Sequence, residues 1–416
     1  MKTPAPSSTP RLLSIRAVAP ILLAAATSSA PASDWPHWRG PQGNGISTES
    51  GWRTDWPANG PRVLWKADVG LGFSSVTVAD GRAYTQGHNA SAKQDTIFCL
   101  DAATGEARWR HTYAHPHDKP YYQGGTSGTP TVADGRVYTV SKRGHVLCLD
   151  AATGAVVWRK HLTDDFGAKM PTWGFASSVL IDGDRAVLNA GIHGIALDRK
   201  TGNAIWKSGT AECGYATPVP FEQAGRKRYL IFAAKALVAV DAADGRAAWS
   251  QKWETEYDVN AADPVVVSAD RIFVSSGYER GGALLDVSGE TPKILWENKN
   301  VRSMLNAGVK LGDHLYAIDG NTGGAQLRCL DLATGSPAWT FKDPNHGALS
   351  VADGKLIVIG EKGELFVGEA NPQGFKPLAR AQVGGGTYWT VPVLANGRLY
   401  VRSGEGRLAC LDMSGK

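Results

Sequence analysis

The chain has 416 residues, with 44 Lys and Arg against 39 Asp and Glu, and it carries 49 Gly, 14 Trp and 5 Cys. That length is enough for a large core, and no Lys/Arg run breaks the near balance of charge, so the composition excludes an electrostatic nucleic-acid binder and argues against docking on an anionic membrane surface. Abundant Gly with abundant Trp points to turn-rich β structure carrying a bulky ring in each unit.

Residues 1–32 read as a secretory signal peptide. Lys2, Arg11 and Arg16 form the basic start, AVAPILLAAA at 17–26 is the apolar stretch, and Ala30-Pro31-Ala32 is a small-x-small cleavage site. The apolar stretch is too short to span a bilayer, and no Cys follows it to take a lipid. The expected mature chain begins near Ser33 and is exported, periplasmic or secreted, with no membrane anchor. Of the 44 basic residues three lie in the leader, which leaves 41 against 39 acidic groups. Residues 33–62 hold four Trp and four Pro and read as an ordered, extended N-terminal strap packed on the main fold.

From residue 63 onward one pattern recurs. It reads CLDAATGEARW at 99–109, CLDAATGAVVW at 148–158, ALDRKTGNAIW at 196–206, AVDAADGRAAW at 239–249 and CLDLATGSPAW at 329–339. A looser copy, LLDVSGETPKILW, lies at 284–296, a degenerate one, VGEANPQGFKPLA, at 367–379, and CLDMSGK ends the chain. The spacing of about forty-odd residues belongs to repeat architectures. Each copy is preceded by two apolar alternating runs joined by a tight turn, as in TVADGRAYT and VLANGRLYV, and Asp-Gly or Asn-Gly there is a strong hairpin signal. Each unit is therefore four short antiparallel strands. Eight hairpins predict an all-β, eight-bladed β-propeller over 63–416. The last copy stops before its fourth strand, and VLWKADV at 63–69 is a fourth strand without its first three, so pairing of the N- and C-terminal strands closes the ring.

One Trp per blade at one phase (Trp65, Trp109, Trp158, Trp206, Trp249, Trp296 and Trp339) reads as blade-to-blade docking. Cys99, Cys148, Cys329 and Cys410 share one repeat phase, which puts them beyond disulfide reach of one another, and Cys213 lies apart in a loop. No CxxC pair suggests zinc or redox work.

The A-x-D-x-x-T-G-x-x-x-W unit resembles the repeat of the quinoprotein-dehydrogenase-like (PQQ-like) propellers, a superfamily that includes pyrroloquinoline-quinone (PQQ) alcohol dehydrogenases and the outer-membrane assembly factor BamB. WPHWRGPQGNGIS also looks like the opening segment of secreted bacterial PQQ-like repeat proteins. For the enzymes, the resemblance implies a planar quinone held between a Trp floor and a ring of adjacent cysteines, beside calcium. This chain has no adjacent cysteines, no CxxCH for haem and no long cap insertions. PQQ and calcium thus enter by resemblance only.

Irregular inserts mark the face where chemistry can sit. In RHTYAHPHDKPYYQGG (110–125), His115, His117 and Asp118 are candidate metal ligands. In WETEYDVNAAD (253–263), an extended backbone puts Glu254, Glu256 and Asp258 on one side, a candidate calcium set. Trp173 and Trp389 fall outside the docking phase and, with Tyr215, Asn306 and His346, are expected around a central funnel. No nucleophile has a neighbouring base at an interpretable spacing, so no catalytic residue is assigned. The expected protein is an exported, monomeric, non-catalytic binding or scaffolding propeller that takes a protein, peptide or glycan on its loop face. The alternative is a PQQ- and calcium-dependent dehydrogenase.

Overall fold

A computed structural model of the chain describes residues 1–6, 33–57, 59–118, 122–320 and 324–414. The chain divides into two units, Met1–Ala32 and Ser33–Lys416. In the first, residues 1–6 are exposed and have no regular structure; the rest of the expected leader lies outside the described residues. Among the described residues no helix is long and apolar enough to cross a membrane.

The second unit is built on eight sheets, each a four-stranded antiparallel blade, one of them extended by a short fifth strand that runs parallel. The first consists of Thr77–Ala79, Arg82–Asn89, Gln94–Asp101 and Ala107–Ala114, paired in chain order, and the following blades repeat that order. The hairpin turns explain why these segments fold locally: Asp80-Gly81, Asp134-Gly135, Asp353-Gly354 and Asn396-Gly397 all have positive φ at both positions, the turn whose twist matches that of the flanking strands. The eighth blade joins the two ends of the ring. Val393–Ala395, Arg398–Arg402 and Arg407–Asp412 take Val63–Asp68 as their fourth strand, with Trp65 opposite Cys410. The all-β, eight-bladed, terminally closed ring expected from the repeats is the observed fold.

The recurrent Asp and Gly have separate tasks. Asp101 Oδ1 accepts the backbone N–H groups of Ala103 and Thr104, both at 2.9 Å, and Asp150, Asp198 and Asp331 repeat this motif. The turn so fixed presents its Gly to the Trp of the preceding blade. A Cβ at Gly105 would lie 2.6 Å from the Trp65 ring, and one at Gly245 would lie 2.4 Å from Trp206. The indole Nε1 then donates to the carbonyl just after the next blade's Asp, as Trp65 does to Ala102 at 3.1 Å and Trp158 to Arg199 at 2.9 Å.

The two aberrant repeats depart from this lock where their sequences depart. Trp249 faces the blade that lacks the Thr-Gly turn; its Nε1 donates to Gln223 Oε1 at 2.9 Å, and the Gln223 amide donates onward to the Val287 carbonyl. Trp339 faces the degenerate repeat and stacks on Phe375 at 5.8 Å and 24°. The apolar core is divided into layers between neighbouring blades: Tyr84, Cys99, Val132 and Leu149 form one, and Leu188, Ile195, Val179 and Cys148 belong to another. All five cysteines are free and buried. Cys213, in its loop, is 1% exposed, and burial pushes its pKa up to about 12.

First strands of neighbouring blades contact one another around the axis, and residues 33–48 lie among them. Trp35 pairs with Val78, the Val132 N–H donates to the Pro36 carbonyl, and Ile46–Ser47 runs parallel to Ala348–Ala352. The Ser47 hydroxyl donates to the Leu394 carbonyl. This segment is mostly turns instead of the extended strap expected, because it reverses direction inside the ring, with Arg39, Gly40, Gly43 and Gly45 at positive φ.

Candidate functional site

The segments that lead into the blades form a belt before they become strands. The Ser75 N–H donates to Thr129 Oγ1 (3.0 Å), Thr129 N–H to Ser178 Oγ (3.0 Å), and Ser178 N–H to Thr217 Oγ1 (2.9 Å). At the next position the acceptor is a carboxylate: Asp263 Oδ1 takes the Thr217 N–H at 2.8 Å. Its second oxygen serves a different purpose. Trp38, from the segment folded into the axis, donates Nε1 to Asp263 Oδ2 at 2.6 Å. A hydroxyl at this position would lack the second oxygen that holds the indole.

Above Trp38 opens a cavity of about 320 Å³ whose wall is formed mostly by these lead-in segments. Trp38 forms part of it, with Phe73, Tyr122, Trp173, Tyr215, Tyr278 and Trp389 around it and Met304 and Leu305 among the aliphatic members. The rings brace one another. Phe73 stacks on Trp389 at 4.7 Å and 19°, and Trp173 meets Tyr215 edge-on at 5.9 Å. Tyr257 joins Trp173 to Tyr278, with centroids 6.5 Å and 5.0 Å apart. Asn306 donates Nδ2 to the carbonyls of Gly347 and Trp389, both at 3.3 Å, and so fixes the backbone that carries Trp389.

Charged groups meet the cavity wall at Asp263, at Lys142 beside Tyr122, and at Glu361, whose Oε1 accepts the Trp389 Nε1–H at 3.4 Å. Asp263 is buried, and desolvation raises its pKa against the opposing pull of Arg39 and Trp38. Arg39 lies behind it and donates to the Gly308 carbonyl at 2.7 Å. Lys142 sits over the Tyr122 ring at 4.3 Å, and burial lowers its pKa to about 8.

The residues expected around the funnel separate as follows. Trp173, Tyr215, Asn306 and Trp389 line the cavity. His346 is 2% exposed and packs edge-on behind Trp389 at 5.3 Å, and burial lowers its pKa to about 4. Trp38, Phe73, Tyr122 and Asp263 were missed. Asp263 had a readable signal, an acid where the four preceding repeats carry Ser75, Thr129, Ser178 and Thr217. Trp38 lay in a Trp-rich segment assigned to the outside.

The acidic set does not converge. The backbone turns at Asp258, with φ 56°, so Glu254, Glu256 and Asp258 do not share one side. Glu254 pairs with Lys252 at 2.9 Å, Asp258 faces Lys235 at 3.8 Å, and Glu256 is exposed. The set His115, His117 and Asp118 also divides. Asp118 is held by Arg143 through two bonds of 2.9 and 2.8 Å, His117 stacks on His88 at 4.9 Å, and His115 turns toward His88 and Asp95.

The cavity does not fit a quinone with calcium. Calcium takes about six to eight oxygen ligands, whereas the one carboxylate among the lining residues, Asp263, has both oxygens engaged. Among the described lining residues there is no Lys or Arg to meet the carboxylates of PQQ, and Lys142 beside the wall is engaged by the Tyr122 hydroxyl.

Comparison with known proteins agrees with this architecture. The family described as outer membrane protein assembly factor BamB matches over residues 49–127 and 93–341. Among curated proteins no sequence matches. BamB from Moraxella catarrhalis superposes with a TM-score of 0.61 at 16% identity, covering 85% of this chain and 99% of that one. Quinohemoprotein alcohol dehydrogenase from Comamonas testosteroni gives 0.64 at 13%, covering 92% and 81%. A computationally designed protein, Ika8, gives 0.58 at 13%, covering 85% and 100%. At these identities the likeness is one of fold, which an assembly factor, an oxidoreductase and a design all share.

Proposed function

The chain belongs to the family of outer membrane protein assembly factor BamB, and on that premise we propose that it is an exported, non-catalytic binding propeller that holds a protein or peptide partner on the face where its axial cavity opens. The cavity carries the reading. It is a cup floored by Trp38 and walled by buried and half-buried aromatic rings, with one carboxylate, Asp263, among its described lining residues. A concave apolar site with a few fixed polar groups suits an anchoring side chain of a partner, and buried aromatic anchors dominate such interfaces. Among the described lining residues no nucleophile is paired with a base. The monomeric state and export through a cleaved leader belong to the same proposal.

Selection of a displayed random-peptide library on the purified protein tests it. Peptides with an aromatic or large aliphatic anchor should be enriched, and Trp173→Ala with Trp389→Ala should weaken their binding at least tenfold with little change in the melting temperature. Enrichment of glycans on an array, with no peptide selected, would transfer the site to a carbohydrate. Micromolar binding of PQQ with calcium and dye reduction by an alcohol would sink the proposal in favour of a dehydrogenase. N-terminal sequencing of exported protein should begin near Ser33.

A further inference from the structure

Beside the cup, between the first two blades, lies a cluster that the proposed function does not use. His88 is the last residue but one of the strand Arg82–Asn89, and Asp95 is its direct cross-strand partner in Gln94–Asp101. His115 follows Ala107–Ala114, and its N–H donates to the Lys93 carbonyl at 2.9 Å. All three are at most 3% exposed, and one ligand-capable atom from each lies within 4.8 Å of the other two.

The hydrogen bonds leave a gap of definite character. His115 Nδ1 lies 2.8 Å from the Pro116 carbonyl. A carbonyl only accepts, so Nδ1 carries the hydrogen, and the neutral ring keeps a lone pair on Nε2. That Nε2 makes no hydrogen bond; it faces Asp95 Oδ2 at 3.6 Å, too far for a charge-assisted bond. On the other side, His88 Nδ1 meets Asp95 Oδ1 at 2.7 Å, and His88 Nε2 has no hydrogen-bond partner. A tetrahedral ion with zinc-like bonds sets its ligand atoms about 3.3 Å apart, and the 3.6 Å between His115 Nε2 and Asp95 Oδ2 lies close to that spacing. A histidine that gives its second N–H to a backbone carbonyl is in the orientation metal-ligating histidines adopt.

We infer that His88, Asp95 and His115 form a site for a divalent transition ion of the zinc class, with a fourth position left for water. Two imidazoles and a carboxylate are the donor set such ions select. The ion would tie the start of the 115–125 insert to the first blade, and that insert carries Tyr122 into the cup wall.

The test uses untagged full chain stripped by dialysis against a chelator. Titration with Zn²⁺ against a chromophoric competitor should find one equivalent, and Co²⁺ should give the intense visible absorption of a four-coordinate site. His88→Gln and His115→Gln should each weaken binding at least a hundredfold, while His314→Gln, on a distant blade, should leave it unchanged. Should the buried variants fail to fold, the wild-type protein decides: absence of one stoichiometric equivalent, or a Co²⁺ spectrum of six-coordinate water-like type, overturns the inference. Binding that survives both folded variants overturns it as well.

Discussion

At the rim, most blades meet the next through the same pair of residues, a Trp ring and a turn glycine. Along the axis the blades differ, so that Phe73, Tyr215, Asp263, Asn306 and Trp389 arrive at corresponding places. The rim must satisfy the same geometry at each junction, and an array of like units is stabilised by like nearest-neighbour contacts. The axis closes around a single segment that has no symmetry, and each blade adapts to the part of residues 33–48 that it touches. Regularity therefore marks stability in this molecule, and its breakdown marks the place where a ligand can be told from solvent.

Removing the closing strand breaks the comparison most severely. Deletion of residues 33–68 takes away Val63–Asp68, Trp65 and the axial segment together, opening two sheet edges. Cooperative thermal unfolding should be lost, and a melt that matched the intact chain would mean the ring closes without this strand. Trp65→Ala alone should cost about 3–5 kcal/mol as a large-to-small core change. Trp339→Ala, whose ring rests on Phe375 and is partly exposed, should cost about 1–2 kcal/mol. Equal losses would mean that the degenerate junction locks as tightly as the regular ones.

A matched pair of glycines sharpens the same contrast. Gly245 and Gly354 have nearly the same backbone, φ 72° and 69°, but a Cβ at Gly245 meets Trp206 at 2.4 Å whereas one at Gly354 meets nothing within 4 Å. Gly354→Ala should cost about 1–2 kcal/mol, the left-handed strain alone. Gly245→Ala should add about 1–3 kcal/mol of overpacking, because the Trp206 ring is tethered to the Ala242 carbonyl. Chemical denaturation of the two variants measures the difference, and identical midpoints would show that the ring yields freely.

The same division governed what could be read from the sequence. Asp-Gly hairpins, the Thr-Gly turn and the phased Trp are local signals repeated many times, so blade number, strand order and closure were all legible. Trp173 and Trp389 were legible as rings outside the docking phase, and they lie at the cavity with Tyr215 and Asn306, whereas His346, named with them, packs behind Trp389. The Trp38–Asp263 contact spans 225 positions and depends on a segment reversing inside the ring, which no periodicity encodes. His88 and Asp95 were hidden differently, as ordinary members of a strand pair that His115 and His117 pack against only in the folded chain.

Acid titration should set rim and axis against each other by the smallest margin. The turn carboxylates Asp101, Asp198, Asp331 and Asp412 are all held below the usual Asp range by hydrogen bonds: chiefly Arg108 at Asp101, the side chains of Thr201 and Ser414 at Asp198 and Asp412, and the Thr334 N–H at Asp331. A carboxylate depressed in the folded state adds stability above its unfolded pKa and loses it as pH falls through the folded one. Each sits in a surface turn and is half-buried, within reach of solvent screening, so each contribution is small. Asp263 runs the other way. Burial raises its pKa, so its ionised form weighs against the fold at neutral pH and that burden lifts as pH falls through the raised value. The melting temperature of the wild type should therefore decline in acid, driven by the rim. Asp263→Asn removes the axial contribution while keeping an oxygen for Trp38 or Thr217, so the variant should compare best with wild type near pH 7 and progressively worse toward pH 3. Melts of both proteins across that range measure the gap; a gap that stays constant would mean that Asp263 does not titrate against the fold and that the cup floor is charged at no cost.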